Sequence, residues 1–354
     1  MREKILEDRI TPNPQNIWLL VPIVKIRLFL TVFVPIVAFT MGEKPSMSLT
    51  DLNLSVNIGI DLLGSDRDPK SLLDAAWDLT QKHPFTLHAF GPHYEGYPGV
   101  VWHPCSEAVS MHEVGIKAAS SQTTSMSMGI QALEKGLIDV FISCGNTAAL
   151  LTYSHIHLKK IPGISRQGLI ARLGTQGDGC YVMDVGANIQ TGAFQLCQFA
   201  LMGRAYCKAL DDKDPSFGLL NIASEEGKGP IPIKQAYAHL KTLPQFMGNV
   251  EPRTLFEGKC RLVITDGFTG NILLKTAEAV AEMTLRGTLA ATPYDPSNYP
   301  GAVLCGADKL VMKCHGNGHT RALQKTIEEA LRLHSRQFIT RVKQEISALK
   351  EESF

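Results

Sequence analysis

Short apolar runs alternate with longer amphipathic stretches along the chain from Val56 to its end. Apolar residues at helical spacing predict helices over 71–82, 195–210 and 318–350. This alternation is typical of βαβ units, so we expect an α/β fold of three layers, α/β/α, around a mostly parallel and buried sheet. The runs that predict strands are 56–60, 85–90, 139–143, 181–185, 217–222, 261–265 and 309–314.

Polar and glycine residues follow six of these seven predicted strands. Typical stretches are "GIDLLGSD" after the first, "DVGAN" after the fourth and "TDGFTGN" after the sixth. In an open parallel sheet, ligands bind outside the carboxyl ends of the strands, where helix N-termini attract anions. The pattern therefore predicts a phosphate or carboxylate site where these turns meet at one edge of the sheet.

Composition excludes several classes of protein. Hydrophobic residues make up 44% and charged residues 19%, with a net charge of +1 and no basic run, which disfavours a nucleic-acid partner. The eight cysteines are scattered singly, without C-x-x-C or zinc-like spacing. We therefore expect free thiols in a reducing compartment and no metal site.

The first fifty residues differ from the rest. Residues 17–42 are mostly apolar but are interrupted by Lys25 and Arg27, and the uninterrupted part is short for a membrane-spanning helix. Three interpretations stay open: an upstream stretch with synthesis starting at Met41 or Met47, a membrane-touching anchor, or an export signal. We therefore predict an extension over residues 1–50 and one α/β domain over residues 51–354.

Common catalytic and nucleotide-binding motifs are absent. The turn after the first strand lacks G-x-G-x-x-G spacing, and neither G-x-x-x-x-G-K-[ST] nor G-x-S-x-G occurs. This favours chemistry between two bound substrates over a covalent intermediate.

Several candidate residues also have structural interpretations. Asp266 and Asn271 could cap the helix that follows them, and residues 145–147 could be a plain N-cap. Lys275 opposes the helix dipole one turn into its helix, which suits an incoming anion better than helix stability. His315 could protonate a departing thiolate or be structural, and Lys228 is either a solvated loop charge or a phosphate ligand.

The ordered set "GNT", "DVGAN", "QFALMG", "GLLNI…EEGKG", "GNVE", "TDGFTGN…LKT" and "HG" resembles the PlsX-type phosphate acyltransferases of bacterial phospholipid synthesis. The likeness runs in order from about Val56 to the terminal helix. It implies a fold like those of isopropylmalate dehydrogenase and phosphotransacetylase, a homodimer, and no metal or other cofactor. It also implies transfer of an acyl group from acyl–acyl-carrier-protein to orthophosphate in the cytoplasm, with a membrane glycerol-3-phosphate acyltransferase acting next. Peripheral contact with the inner face of the cell membrane stays open.

With the reaction that the resemblance implies, we predict roles for residues of this chain. Lys228, Asn271, Lys275 and His315 are the predicted catalytic residues, with His315 donating to the leaving thiolate. Asp184, Asn188 and Asp266 are expected to order the donors around the phosphate. The other predicted substrate or phosphate contacts are Asp61, Gly64, Gly145, Asn146, Thr147, Gly186, Asn249, Gly267, Thr269, Gly270 and Gly316.

The chain also departs from the family pattern. The opening "DAMGGD" is "DLLGSD" here, the basic "KKDSSM" is "SSQTTSM" at 120–126, and "RPA" is "RQG" at 166–168. The segment between Arg286 and Pro300 lacks the long basic and apolar tip of relatives. Three alternatives stay open: a phosphotransacetylase using acyl-CoA, a decarboxylating dehydrogenase of the same fold, and a non-catalytic scaffold that binds acyl carrier protein.

Overall fold

The computed structural model describes residues 56–110, 121–285, 294–314 and 320–353. All of them belong to one compact unit, Met47–Phe354. The predicted extension over residues 1–50 lies outside the described residues, so the boundary at residue 51 stays a prediction. Among the described residues, no helix has the length and apolar character needed to cross a membrane.

Strands and helices alternate along the described chain, as the sequence pattern predicts. The strands are β1 (Val56–Asp61), β2 (Phe85–Gly91), β3 (Val101–Pro104), β4 (Val140–Ser143), β5 (Gly168–Leu173), β6 (Cys180–Met183), β7 (Phe217–Leu220), β8 (Phe246–Val250), β9 (Leu262–Ile264), β10 (Ala302–Cys305) and β11 (Leu310–Lys313). The helices are α1 (Pro69–Thr80), α2 (Ser125–Glu134), α3 (Thr147–His157), α4 (Ala193–Asp211), α5 (Ile231–Leu240), α6 (Pro252–Phe256), α7 (Gly267–Leu285), α8 (Thr320–Ser335) and α9 (Phe338–Ser353).

The strands form one sheet in the order β3-β2-β1-β4-β11-β10-β5-β6-β9-β7-β8. Strands β3, β2, β1, β4 and β11 are parallel to one another, and so are β6, β9, β7 and β8. Between these two groups, the three pairings that join β11, β10, β5 and β6 are antiparallel. The two parallel groups therefore run in opposite directions.

This reversal corrects one expectation from the sequence. The glycine-rich turns do not meet at one edge, because those after β1 and β4 leave one edge of the sheet and those after β6, β7 and β9 leave the opposite edge. The central strands are only four to six residues long. Turns from the two edges can therefore approach each other across one face of the sheet.

Helices cover both faces of the sheet. Buried residues of α1, α4, α5, α8 and α9 pack in the core of one face, and those of α2, α3, α6 and α7 pack in the core of the other. On the second face, α3 lies against β11 while α7 lies against β5 and β6. The gap between α3 and α7 over the central strands is where the candidate site lies.

The sequence missed some elements. Strands β3, β5, β8 and β10 were not predicted. The single helix predicted over 318–350 is two helices, α8 and α9. They separate at Gln337, which has a φ of 51°. A helix cannot continue through a residue in this left-handed conformation.

Candidate active site

A cleft of about 460 Å³ opens between α3 and α7. Its walls come from the first residues of α3, the turn after β6 and the first turns of α7, and its floor comes from the central strands. Six lining residues matter for the chemistry: Thr147, Gly186, Asn271, Lys275, Lys313 and Cys314.

The N-terminus of α3 forms one wall of this cleft. The Oδ1 atom of Asn146 accepts a hydrogen bond from Ala149 N at 3.1 Å, and its Nδ2 donates to Ser110 O at 2.9 Å. Asn146 is therefore an N-cap, the structural interpretation of residues 145–147. The N–H groups of Thr147 and Ala148 belong to the first turn of the helix, where the helix dipole favours an anion.

A buried carboxylate lies behind that turn. Asp61 ends β1 and accepts hydrogen bonds from Ser125 Oγ at 2.6 Å, Ser143 Oγ at 2.7 Å and Leu63 N at 3.1 Å. The same Ser143 Oγ accepts from Gly145 N at 3.0 Å. Asp61 is 1% exposed, so the structure places it as a support for the 143–145 turn and not at the cleft surface.

Glycine is required at two positions around this turn. A Cβ on Gly145 would lie 3.0 Å from Met126 Cε and 3.3 Å from Asp61 Oδ2. Gly64 has a φ of +75°, and a Cβ there would lie 3.0 Å from Val109 O. Both glycines allow the turns after β1 and β4 to pack closely, which is a structural reason for their presence in the sequence.

We expect Asp61 to make stability depend on pH. Burial raises the pKa of Asp61 from 3.8 to about 6, while Ser125, Ser143 and the Lys313 charge oppose the rise. Between pH 3.8 and about pH 6, Asp61 holds a proton in the folded protein that it has lost in the unfolded chain. The free energy of unfolding therefore falls as the pH rises through this range. Relative to Asp61→Asn, the wild type should lose on the order of 3 kcal/mol between pH 4 and pH 7.

Urea denaturation across this pH range measures the difference. Asp78→Asn, at an exposed position of α1, is the matched control and should show no such dependence. If the difference in the free energy of unfolding between wild type and Asp61→Asn does not change with pH, Asp61 is not a buried carboxyl with a raised pKa.

Asp184 organises the turn after β6. It is fully buried and accepts hydrogen bonds from Leu169 N, Gly186 N, Ala187 N and Asn188 N at 2.7–3.2 Å. The Asn188 side chain donates to it as well, at 2.9 Å. Burial raises the pKa of Asp184, and the donors oppose this rise. The buried Asp184 carboxylate therefore fixes the conformation of this turn, including Gly186, which lines the cleft.

The start of α7 packs directly on this turn. Gly267 N donates to Asn188 O at 2.8 Å, and a Cβ on Gly267 would lie 2.6 Å from the same oxygen. Asp266 Oδ1 accepts from Thr269 N, and its Oδ2 accepts from Thr269 Oγ1, both at 2.8 Å. Asp266 therefore caps α7, and the proton of the Thr269 hydroxyl is already donated to Asp266. The helix-capping interpretation describes both residues, and close packing explains Gly267.

Two lysines bring positive charge to the cleft. Lys275 is an exposed residue of α7, one turn beyond Asn271, and both line the cleft. Lys313, at the end of β11, lines it from the floor and is 9% exposed. Lys313 was not predicted from the sequence, because a lysine that ends an apolar strand gives no signal apart from its charge. A carboxylate, Glu278, lines the far side of the same cleft.

Other predicted residues lie elsewhere. Lys228 is exposed on the loop after β7 and is not among the residues that line the cleft. That loop is held by Asn249 Nδ2, which donates to Glu225 O at 2.8 Å, and by Asn221 Nδ2, which donates to Lys228 O at 3.1 Å. His315 and Gly316 lie outside the described residues, so their roles stay predictions.

The chain is similar in sequence to a known protein family and to curated proteins of that family. The family model of the fatty acid synthesis proteins matches residues 56–291, about two thirds of the chain. The chain is 35% identical over 305 residues to the phosphate acyltransferase of Chlamydia felis, covering 79% of this chain and 96% of that protein. The phosphate acyltransferase of Chlamydia abortus is 36% identical over 305 residues, with the same coverage. The chain belongs to the PlsX-type phosphate acyltransferase family.

Solved structures show the same fold. A phosphotransacetylase from Streptococcus pyogenes superposes with a TM-score of 0.56 at 17% identity, covering 83% of this chain and 94% of that one. A branched-chain phosphotransacylase from Enterococcus faecalis V583 gives a TM-score of 0.55 at 16% identity, with 81% and 99% coverage. The expected α/β/α fold with a mostly parallel sheet is confirmed. Membership of the phosphate acyltransferase family makes the protein an acyltransferase.

Proposed function

We propose that the protein transfers a long-chain fatty acyl group from acyl–acyl-carrier-protein to orthophosphate, giving acyl phosphate for phospholipid synthesis. The observation that carries this proposal is the cleft between α3 and α7, which is lined by two lysines and a helix N-terminus. These groups suit a phosphate anion. Family membership supplies the class of reaction.

An apolar cavity beside the cleft supports a long acyl chain. It measures about 560 Å³ and runs along α7, and it shares Leu274 and Glu278 with the cleft. Its walls are mostly apolar, with Leu273, Ala277 and Val280 among them. A cavity of this size and character suits a fatty chain, because each buried methylene contributes about 0.8 kcal/mol of binding free energy.

The reaction depends more on positioning the two substrates than on covalent catalysis by the protein. An oxygen of orthophosphate attacks the thioester carbonyl carbon, the C–S bond breaks, and the departing thiolate takes up a proton. Asn271 can donate a hydrogen bond to the developing oxyanion, and Lys275 can balance the charge of the phosphate. Within the described part of the chain, the Asn271 amide has no protein hydrogen-bond partner, so it is available for this role.

Lys228 and the surrounding loop are proposed to meet the acyl donor. The loop lies at the carboxyl ends of β7 and β8, on the same edge of the sheet as the start of α7. An exposed ammonium there could contact an anionic carrier or its prosthetic group. His315 remains the proposed proton donor to the thiolate.

Three further proposals concern assembly and location. Ile272 and Met283 are exposed on α7, which supports self-association of two chains through this helix into a homodimer. The product is a reactive mixed anhydride, so we propose that a membrane glycerol-3-phosphate acyltransferase uses it next. The protein would then act in the cytoplasm, with peripheral contact at the inner face of the membrane.

A direct assay tests the function. Purified protein is incubated with labelled orthophosphate and palmitoyl–acyl-carrier-protein, palmitoyl-CoA or acetyl-CoA in parallel. We expect labelled acyl phosphate mainly from the carrier-protein donor. Equal or greater product from acetyl-CoA would instead support a phosphotransacetylase, the alternative that the structural neighbours favour. No product from any donor would overturn the proposal.

A further inference from the structure

A buried ammonium forms part of the cleft floor. Lys313 follows Met312 on β11, and its side chain points to the face of the sheet that carries α3 and α7, as that of Val311 does. Its Nζ atom donates to Cys144 O at 3.3 Å and to Cys314 O. Two of the three N–H groups of the ammonium are thereby used, which leaves one for another acceptor.

The Lys313 ammonium lies beside the turn that precedes the N-terminus of α3. Cys144 is two residues before the N-cap Asn146, so the Lys313 Nζ atom is held beside the turn that starts the helix. Asp61, Ser143 and Lys313 are neighbours in register across β1, β4 and β11. The hydrogen bonds of Asp61 and Ser143 fix the turn from one side, and Lys313 fixes it from the other.

The arrangement favours a bound anion over an empty cleft. A buried cation is costly unless it is paired, and burial lowers the pKa of Lys313, with the charge of Lys275 adding to this effect. The thiols of Cys144 and Cys314, and then Asp61 behind the turn, oppose this fall in the pKa of Lys313 only in part. A dianion between Lys275, Lys313 and the first N–H groups of α3 would satisfy all three.

We propose that Lys313 and the N-terminus of α3 form the orthophosphate subsite, so that Asn271 and the start of α7 are left to bind the thioester carbonyl. Lys313 then contacts the attacking nucleophile directly. This inference rests on the proposed function. It assigns the phosphate to the α3 side of the cleft, whereas the sequence predicted substrate or phosphate contacts on both sides, at Asn146 and Thr147 as well as at Thr269 and Asn271.

Steady-state kinetics of Lys313→Met test the assignment. We expect the KM for orthophosphate to rise by about 10- to 100-fold, as the loss of one charged hydrogen bond predicts, while the KM for the acyl donor changes little. Lys309→Met is the matched control, because it removes a lysine just before the other end of the same strand. Its kinetics should match those of the wild type.

A binding measurement gives a second readout without turnover. Orthophosphate should raise the unfolding temperature of the wild type above that in chloride of equal ionic strength, and Lys313→Met should lose this increase. A variant that keeps both the wild-type phosphate KM and the phosphate-dependent increase would overturn the proposal. If the wild type makes no acyl phosphate, the function fails, and the thermal measurement still tests the subsite.

Lys313→Arg covers the case in which the methionine variant does not fold. Because its charge persists to higher pH, arginine should keep phosphate binding and remove the alkaline decline in kcat/KM for phosphate that deprotonation of Lys313 causes in the wild type. An unchanged alkaline decline in Lys313→Arg would contradict direct contact between Lys313 and phosphate.

Discussion

Replacing Asn271 by aspartate should lower kcat/KM for acyl phosphate formation by at least about 100-fold while leaving the fold intact. The two side chains have the same shape, so packing against the turn that holds Gly186 is retained. The substitution removes an amide donor and adds a negative charge to a cleft that we propose binds a phosphate dianion. Both changes disfavour the transition state, and like-charge repulsion also weakens phosphate binding.

Steady-state assays with palmitoyl–acyl-carrier-protein and varied orthophosphate measure this effect. Gln81→Glu adds the same charge at an exposed position just after α1 and should leave the kinetics unchanged. Circular dichroism and thermal unfolding confirm that Asn271→Asp is folded. An Asn271→Asp enzyme with more than a tenth of the wild-type activity would show that this amide takes no part in the reaction.

Replacing Gly270 by alanine should destabilise the protein by about 3 kcal/mol or more, with loss of activity following from loss of structure. A Cβ there would overlap the Asp184 carbonyl oxygen and lie 2.9 Å from Thr265 Cγ2. The first of these neighbours is backbone, held by the same turn that buries Asp184. This steric overlap can be removed only if α7 moves away from the sheet, and the wall of the cleft that α7 forms then moves as well.

Urea denaturation compares this variant with Gly177→Ala. Gly177 is exposed, and a Cβ there would come no closer than 4.0 Å to Thr175 Oγ1, so this control should change the free energy of unfolding little. Wild-type stability in Gly270→Ala would mean that α7 does not pack on the Asp184 turn as described.

The alternation of strands and helices could be predicted because apolar periodicity is a local signal. All seven predicted strands correspond to observed strands, and their ends agree to within two residues. The antiparallel strands β5 and β10 could not be predicted in the same way. The segments "GLIARL" and "AVLC" are not bounded by strong turn signals that would mark them as strands. Whether a strand pairs parallel or antiparallel also depends on partner strands far away in the chain. Missing these strands concealed the reversal of the sheet.

The candidate site was predicted only in part, because turn chemistry is also a local signal whereas tertiary packing is not. Turn chemistry identified the segments around Asn146, Asp184 and Asn271, and the structure places all three beside the cleft. The sequence could not show that Asp61 supports a turn from behind or that Gly267 accommodates a neighbouring carbonyl, since both facts depend on tertiary packing. It also passed over Lys313, whose burial beside α3 becomes visible only when β11 is inserted next to β4.

That insertion has a consequence for the order of folding. β11 lies between β4 and β10 in the middle of the sheet, and Lys313 bonds to a carbonyl 169 residues earlier in the chain. During synthesis, the strands from β1 to β9 leave the ribosome before the strand that joins the two halves of the sheet exists. Such distant pairing is slow, because the entropy of closing a long loop must be overcome first. A nascent chain that ends before Leu310 would therefore lack the part of the cleft floor that Lys313 supplies, and we expect it to have no acyltransferase activity, however well its two halves had folded.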